Sequence, residues 1–387
     1  MRVMLVSDWT APRIGGVERQ VSDLALRLRA HGHEPRVLTF TPGPSSVDGI
    51  PVHRLRAAAP PGWRALQRGL ARVGLELGDP MPRATTREIE RIVARERIEL
   101  VHGHALWSSL AHMTVKLAHD RGIPGLLTNH SLIDRAGLLF FRAIGEVFPW
   151  GGWPVVLTAV SAAAARDTSL ASGRHVRIIP NGLDTTAWAY GGAALAASRP
   201  GRSRQHEPRR VVSVTRLNTR KSPQHLLEAF ATARGELGGA VRLDLYGDGP
   251  LRPSLERRAA ALGIADAVTF HGARDANEIA TALAAADVFV LPGRREAFGI
   301  AAVEALAAGV PVVAMRAGGA AELFPHGAGG LLARDTAELA AHLERVLTDD
   351  ALRTRMAASA PAQAARFDWD RVTPLYLAAY ADARGMV

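Results

Sequence analysis

The chain has 387 residues, of which 48% are apolar and 22% charged, a globular balance that excludes wholesale disorder and leaves room for two or three domains. It contains no cysteine. That removes disulfides, thiolate metal sites, iron–sulfur clusters and a cysteine nucleophile together, and fits a reducing, cytoplasmic setting.

Formal net charge is +10, with 23 basic against 16 acidic residues up to Trp188 and 24 against 21 beyond it. A basic first half calls for an anionic partner: phosphate, acidic lipid or nucleic acid. In chain order, residues 3–6 read as a strand, 17–30 as a helix and 36–40 as a strand. Strand-like 100–102 precedes a helix over 109–119, and 125–127 and 155–160 read as further strands. The greasy stretch 138–160 is broken by Arg142, Glu146, Pro149 and Gly151-Gly152, short of the roughly 20 apolar residues a spanning helix needs. Residues 191–210, rich in Gly, Ala, Ser, Arg and Pro, read as a linker. The alternation then restarts with strands at 211–214, 241–246, 268–270, 288–291 and 310–314. Helices are expected from 223, from 251, over 278–285 and over 300–308. Such alternation means βαβ units and two parallel sheets, whose ligands bind at the carboxyl ends of the strands.

Those ends carry the chemistry. Glu296-Ala-Phe298-Gly299-Ile300-Ala-Ala-Val-Glu304 follows a buried strand and opens a helix. Free N–H groups at the helix start form an anion site that Gly299 lets a phosphate approach. Glu296 and Glu304 are placed to accept hydrogen bonds from hydroxyls at two ends of a sugar nucleotide. The competing reading is one surface acid and one helical acid at accidental spacing. Arg216 and Lys221 share the loop after the first strand of the second half, where a fork and a point charge neutralise a diphosphate. The competing reading is two solvated cations. Gly15-Gly16 before the first helix allows close backbone approach to the same diphosphate, or merely makes a tight turn. It lacks the third glycine of a dinucleotide fingerprint, as does Gly247-Asp-Gly249. His102, His104 and His130 end neighbouring strands and read as cleft-lining hydrogen-bonding groups rather than metal ligands, since no nearby carboxylate completes a ligand spacing. Asp368-Trp-Asp370 has the Asp-x-Asp form that binds a metal-diphosphate in some transferases, but it sits in the C-terminal tail and is read as coincidence.

Jointly, Glu296 with Glu304, Arg216 with Lys221, Gly15-Gly16, Pro180-Asn-Gly-Leu-Asp184 and Gly247-Asp-Gly-Pro250 resemble the retaining family-4 glycosyltransferases over nearly the whole chain. The resemblance implies the α/β GT-B architecture, two Rossmann-like doubly wound domains facing a cleft. Residues 1–190 would bind acceptor, 191–210 link, 211–366 bind the nucleotide sugar, and 367–387 return to the first domain as a helix. By the same resemblance Arg216 and Lys221 contact the diphosphate, Glu304 the ribose and Glu296 the transferred sugar. Phe298, Gly299 and Ile300 offer N–H groups, and His130 lies beside the sugar. Gly15 and Gly16 approach the phosphates, and the loops holding Gly247, Leu251 and His271 flank the base. No carboxylate stands out as a covalent nucleophile, which implies front-face substitution with retention, driven by electrostatic stabilisation of the departing diphosphate. The nucleotide sugar, with UDP preferred over GDP and carrying a hexose or N-acetylhexosamine, is a substrate, so no resident cofactor is expected.

His102-Gly-His104, Ala111-His112 and Thr128-Asn129-His130-Ser-Leu are further similar to the catalytic component that transfers GlcNAc to phosphatidylinositol, a likeness extending to phosphatidylinositol mannosyltransferases. Asn129 stands where aspartate is usual, Ile133 where an aromatic is usual, Thr215 replaces a glycine before the arginine, and Ser222 one after the lysine. Between His53 and Val73 there are five arginines and no acid. Trp63, Leu66, Leu70 and Val73 recur at helical spacing beside Arg64, Arg68 and Arg72. This is the pattern of a basic amphipathic helix on the anionic inner face of a membrane, or of an ordinary packed helix with solvated arginines. An inositol-bearing or other anionic lipid is therefore one acceptor expected and a small soluble cyclitol or secondary metabolite the other. A non-catalytic nucleotide-binding protein is the remaining alternative. Nothing supports a nucleic-acid partner, for zinc spacing and aromatic platforms are both missing.

Overall fold

The computed structural model describes residues 1–13, 15–56, 62, 65, 81–147, 149–189, 208–238 and 240–386. Described residues up to Gly182, together with those from Trp369 onward, form one compact unit; Leu183–Asp368 form the other. The first boundary lies earlier than residue 190 because Leu183 N–H donates to the Phe367 carbonyl at 2.9 Å and Thr185 Oγ1 donates to Asp368 at 2.5 Å. The second lies at Trp369 rather than residue 367, since Phe367 packs edge-on against Phe298 at 5.2 Å. Of the expected linker over 191–210, only the last three residues are described, and Arg209 and Arg210 already pair with Val241 and Arg242 in a strand. The basic helix expected over 63–73 lies outside the described residues.

The first unit runs β1 (Arg2–Val6), α1 (Gly16–Ala30), β2 (Glu34–Thr39), β3 (Ser46–Val47), β4 (Ile50–Arg54), α2 (Arg83–Arg95), β5 (Leu100–His104), α3 (Ser109–His119), β6 (Gly125–Asn129), α4 (Arg135–Val147), β7 (Val156–Ala159), α5 (Ala162–Ser172) and β8 (Arg177–Ile178). Its sheet order is β3-β4-β2-β1-β5-β6-β7-β8, parallel except for the β3–β4 hairpin. Strands buried on both faces read as continuous apolar runs, which is why Val3–Val6 shows no exposed position. On α1, Val21, Leu24, Ala25 and Leu28 form the i, i+3/i+4 stripe that packs on the sheet.

The terminal helix α12 (Trp369–Arg384) completes this core, burying Trp369, Val372, Tyr376 and Tyr380 among the strands. Each fully buried large side chain contributes about 1.5–3 kcal/mol. Trp369 explains the glycine of Pro180-Asn-Gly182, because a Cβ on Gly182 would lie 2.3 Å from its indole. The Gln20 amide holds the same residue at both ends, accepting from Gly182 N–H at 2.9 Å and donating to its carbonyl at 2.7 Å.

The second unit holds β9 (Arg209–Val214), α6 (Pro223–Glu236), β10 (Val241–Tyr246), α7 (Arg252–Ala261), β11 (Val268–Gly272), α8 (Ala276–Ala284), β12 (Val288–Leu291), α9 (Ile300–Ala307), β13 (Val312–Met315), β14 (Gly330–Ala333), α10 (Thr336–Thr348) and α11 (Asp350–Ala364). Its six parallel strands run β11-β10-β9-β12-β13-β14, the doubly wound order whose direction reverses between β9 and β12. Among the described residues no helix is long and apolar enough to cross a membrane.

Candidate functional site

A doubly wound sheet opens a crevice at the carboxyl ends of the two strands where its order reverses. In the second unit these are β9 and β12. The loop after β9 carries Arg216 and Lys221, and the loop after β12 carries Glu296, Phe298 and Gly299. The structure joins them directly: Lys221 Nζ donates to Glu296 Oε2 at 2.6 Å. Glu296 and Glu304 are each only 6% exposed. The reading of Lys221 as a solvated cation and Glu296 as a surface acid is thereby corrected. The Glu296 carboxylate would cost several kcal/mol to bury alone.

The loops are built to hold this pair. The Asn218 side chain accepts from Lys221 N–H at 3.1 Å and caps a single 3₁₀ turn, Thr219–Lys221. Ser222 follows at φ 49°, the left-handed region, and leads into α6. The glycine expected there avoids a conformation that costs other residues roughly 1–2 kcal/mol. On the other loop, Gly319 N–H donates to the Glu296 carbonyl at 2.8 Å, and Gly299 starts α9 at φ 94°. First-turn N–H groups of a helix have no i−4 carbonyl, so Phe298, Gly299 and Ile300 stand where backbone donors gather. Glu304 lies in the second turn of that helix, and Arg216 is partly exposed beside fully buried Leu217.

The loop after β10 lies against the loop after β9. Leu217 N–H donates to the Asp248 carbonyl and Leu251 N–H to the Leu217 carbonyl, both at 3.0 Å. A Cβ on Gly247 would lie 1.9 Å from the Thr215 carbonyl oxygen, so close approach of two loops accounts for that glycine. His271 behaves otherwise. Its Nε2 lies 2.7 Å from Asp244 Oδ1 and its ring stacks on Tyr246 at 4.3 Å, so its side chain is engaged on the neighbouring strand.

In the first unit the order reverses between β1 and β5. Gly15 and Gly16 follow β1 at the start of α1, and His130 follows β6. Asn129 shapes the turn that presents His130, its Nδ2 donating to Ser131 O and Thr168 Oγ1, both at 2.8 Å, which an aspartate could not do. His102 and His104 do not line a surface: they are 0% and 1% exposed. His102 sits between the Tyr380 hydroxyl and Thr128 Oγ1, while His104 Nδ1 lies 3.0 Å from His130 Nε2. Sequence reasoning gave no role to Thr128 or Asn181, though both stand in motifs it singled out, and missed Tyr380, which lies 278 residues from the histidine it holds. Among the described residues no three His, Asp or Glu side chains are grouped to hold a metal ion. Asp368 serves to cap Thr185.

Burial drives the His130 imidazole from 6.5 down to about 4, against the pull of the Asn181 side chain, and drives His102 and His104 well below 6.5. A ring kept neutral by folding binds fewer protons than in the unfolded chain. Its contribution is therefore intact above 6.5 and lost as pH falls toward about 4. Urea unfolding at pH 7 and pH 4.5 is expected to differ by about 2 kcal/mol or more from His130 alone, with a shallower fall in His130→Gln. A pH-independent unfolding free energy contradicts this. Ser222→Gly is expected to raise the unfolding free energy by about 1 kcal/mol in the same assay by relieving the left-handed serine, and a loss of stability contradicts that.

Residues 14–187 match the model of Glycosyltransferase Family 4, and residues 197–363 that of Glycosyl transferases group 1. The chain is 31% identical to a D-inositol 3-phosphate glycosyltransferase of Stackebrandtia nassauensis, across 99% of this chain and 91% of that one. It is 29% identical to a phosphatidylinositol N-acetylglucosaminyltransferase component of Arabidopsis thaliana, across 84% and 69%. The crystal structure of Anabaena Alr3699/HepE in complex with UDP-glucose superposes with a TM-score of 0.78 at 22% identity, covering 98% of this chain and 99% of that one, and speaks to the fold. Matched along nearly its whole length and built from two Rossmann-like doubly wound domains, the chain belongs to the family-4 glycosyltransferases of GT-B fold.

Proposed function

We propose that the protein is a retaining glycosyltransferase moving a hexose or N-acetylhexosamine from a UDP-sugar to a hydroxyl of an inositol-bearing acceptor. The observation carrying the donor half is the Lys221–Glu296 pair at the strand-order reversal of the second unit. An ammonium has three donors and Glu296 takes one. The others, with the Arg216 fork, serve a diphosphate, while the Glu296 carboxyl group offers acceptor oxygens to sugar hydroxyls.

Phe298, Gly299 and Ile300 direct backbone N–H groups at the phosphates, and Glu304 accepts from the ribose. The backbone of the loops at Gly247, Leu251 and His271 flanks the base. As the acceptor hydroxyl oxygen bonds to the anomeric carbon on the same face, the bond to the diphosphate breaks, the hydroxyl proton passes to the departing phosphate oxygen, and the growing negative charge is met by Arg216, Lys221 and the helix start. The inositol common to both relatives' names supports the acceptor class, and UDP-glucose in the HepE complex supports uridine.

A thermal-shift panel of UDP, GDP and ADP, followed by transfer from the matching labelled nucleotide sugars to inositol phosphate or phosphatidylinositol, tests this reading. UDP is expected to stabilise most and to support transfer; transfer from GDP- or ADP-sugars alone, or to neither acceptor, overturns it. Lys221→Ala is expected to cost roughly 2–5 kcal/mol, about 30- to 5,000-fold in kcat/KM. Glu304→Ala should chiefly weaken UDP binding, and Glu296→Ala should spare UDP binding while impairing transfer. Near-normal transfer by Lys221→Ala removes the pair from the mechanism.

One observation favours a lipid-borne acceptor. Helix α4 begins five residues after His130 and turns Ala136, Leu139, Phe140, Ala143 and Ile144 outward, with Leu139 67% exposed. Arg135 and Arg142 flank this apolar face, a combination suited to an anionic bilayer. Low-salt sedimentation with phosphatidylinositol vesicles is expected to capture the wild type but not a Leu139→Asp/Ile144→Asp variant. If the wild type ignores such vesicles, free inositol phosphate is the acceptor.

A further inference from the structure

Helix α2 carries Arg83, Arg87, Arg91 and Arg95 at i, i+4 spacing, and all four are exposed. Its apolar side, Ile89, Ile92 and Val93, is spent on the core. Arg95 pairs with Glu96 at 3.2 Å, whereas among the described residues Arg83, Arg87 and Arg91 meet no carboxylate. The acids nearby are engaged elsewhere, Glu90 by Arg121 at 3.0 Å and Glu96 by Arg36 at 3.2 Å. Like charges four residues apart repel on a helix surface, so the stripe weakens α2 and returns nothing to the fold.

The stripe borders a cavity of about 460 Å³ walled by His53 and Arg54 of β4 and by Glu88, Arg91, Ile92 and Arg95 of α2. Arg54 Nε, Nη1 and Nη2 donate to the carbonyls of Pro44, Thr41 and Ala11 at 2.6, 2.5 and 3.0 Å. Carbonyls fix this cation in place without neutralising it. His53 Nε2 is buried and has no hydrogen-bond partner, Glu96 Oε1 at 3.6 Å being too distant. Glu88 is the one acid on these walls among the described residues.

Successive arginines of the stripe rise about 6 Å along the helix, a spacing that meets several anionic groups in series rather than one. Guanidinium forks match phosphate oxygens two at a time, and a cavity of this size admits a small molecule. A helix that inserts into a bilayer shows an apolar face beside its basic one, and α2 has none left to show. Strand β4 is the second from β1, which sets the groove about 10 Å to the side of the strand-order reversal in this unit.

We infer that the groove between β4 and α2 is an accessory anion site for a ligand bearing two or more phosphate groups. Arg91 and Arg95 hold phosphates at its mouth, His53 Nε2 meets a phosphate oxygen inside, and Arg83 and Arg87 extend the site along the helix. This goes beyond the transfer reaction and does not depend on which sugar donor is used.

Tripolyphosphate titrated at low salt into the full-length Lys221→Ala protein, whose proposed diphosphate site is weakened, tests this. It is expected to bind and to shift the His53 ring ¹⁵N signals, assigned by their loss in His53→Phe. Adding Arg87→Gln/Arg91→Gln should raise Kd about tenfold or more, and Arg87→Lys/Arg91→Lys, which keeps charge without the fork, should raise it less. Removing like charges leaves the urea midpoint unchanged or higher, so lost binding is not lost folding. Vesicles containing a phosphatidylinositol monophosphate identify the source of the phosphates. If they displace tripolyphosphate the ligand is a lipid headgroup, and if they do not it is a soluble molecule; either result upholds the site. Equal binding of tripolyphosphate by the Gln pair, or no shift of the His53 signals, overturns the inference. So does equal capture by charge-matched phosphatidylserine vesicles, which would make the stripe a diffuse membrane-facing charge.

Discussion

The second unit is organised around one contact, the ion pair between Lys221 and Glu296 at 2.6 Å. It joins the two loops that diverge where the sheet reverses its order, and the half-buried lysine makes the burial of the glutamate tolerable. Asn218 fixes the backbone of the lysine, Gly319 fixes that of the glutamate, and left-handed Ser222 and Gly299 turn each loop into its helix. Charge, backbone donors and two carboxylates are thus collected at the end of β9 and β12 by strand order alone. A buried Glu296 carboxylate without this partner would be costly, so the pair is first of all a structural requirement of the two loops.

The first unit solves a different problem, keeping three imidazoles and a phenol together at the strand ends of an apolar sheet. Every one of them is placed by a neighbour: Tyr380 and Thr128 hold His102, His102 and His130 pack against His104, and Asn181 stands beside His130. The terminal helix α12 contributes Tyr380, and Trp369 at its start presses on Gly182, next to Asn181. The same helix that completes the core therefore sets the surroundings of the histidine at its surface. Neutral rings are cheap to bury when hydrogen-bonded, and they lend orientation without charge.

Departures from the expected pattern acquire physical meaning in this setting. Ser222 accepts a backbone conformation better suited to glycine. Asn129 uses its amide to donate where a carboxylate could only accept. Asp368, one of two acids that resemble a metal-binding pair, instead accepts from Thr185 and ends the second unit. His271, expected beside the base, spends its ring on Asp244 and Tyr246.

What the sequence determined by itself was the alternation of strand and helix, because strands covered on both faces must be continuously apolar and the helices between them must carry an apolar stripe. It also placed Arg216, Lys221, Glu296 and Gly299 on loops after strands, since those loops are short and their flanking strands unmistakable. Helices α2, α4, α5, α10 and α11 lay outside that reading: α2 is dominated by charge, and α4 turns apolar residues to solvent as well as to the core, which blurs its period. Only the tertiary structure decided who meets whom. Lys221 and Glu296 are separated by 75 residues and His102 and Tyr380 by 278. Partners so distant are chosen by strand order and helix docking, which local periodicity does not encode.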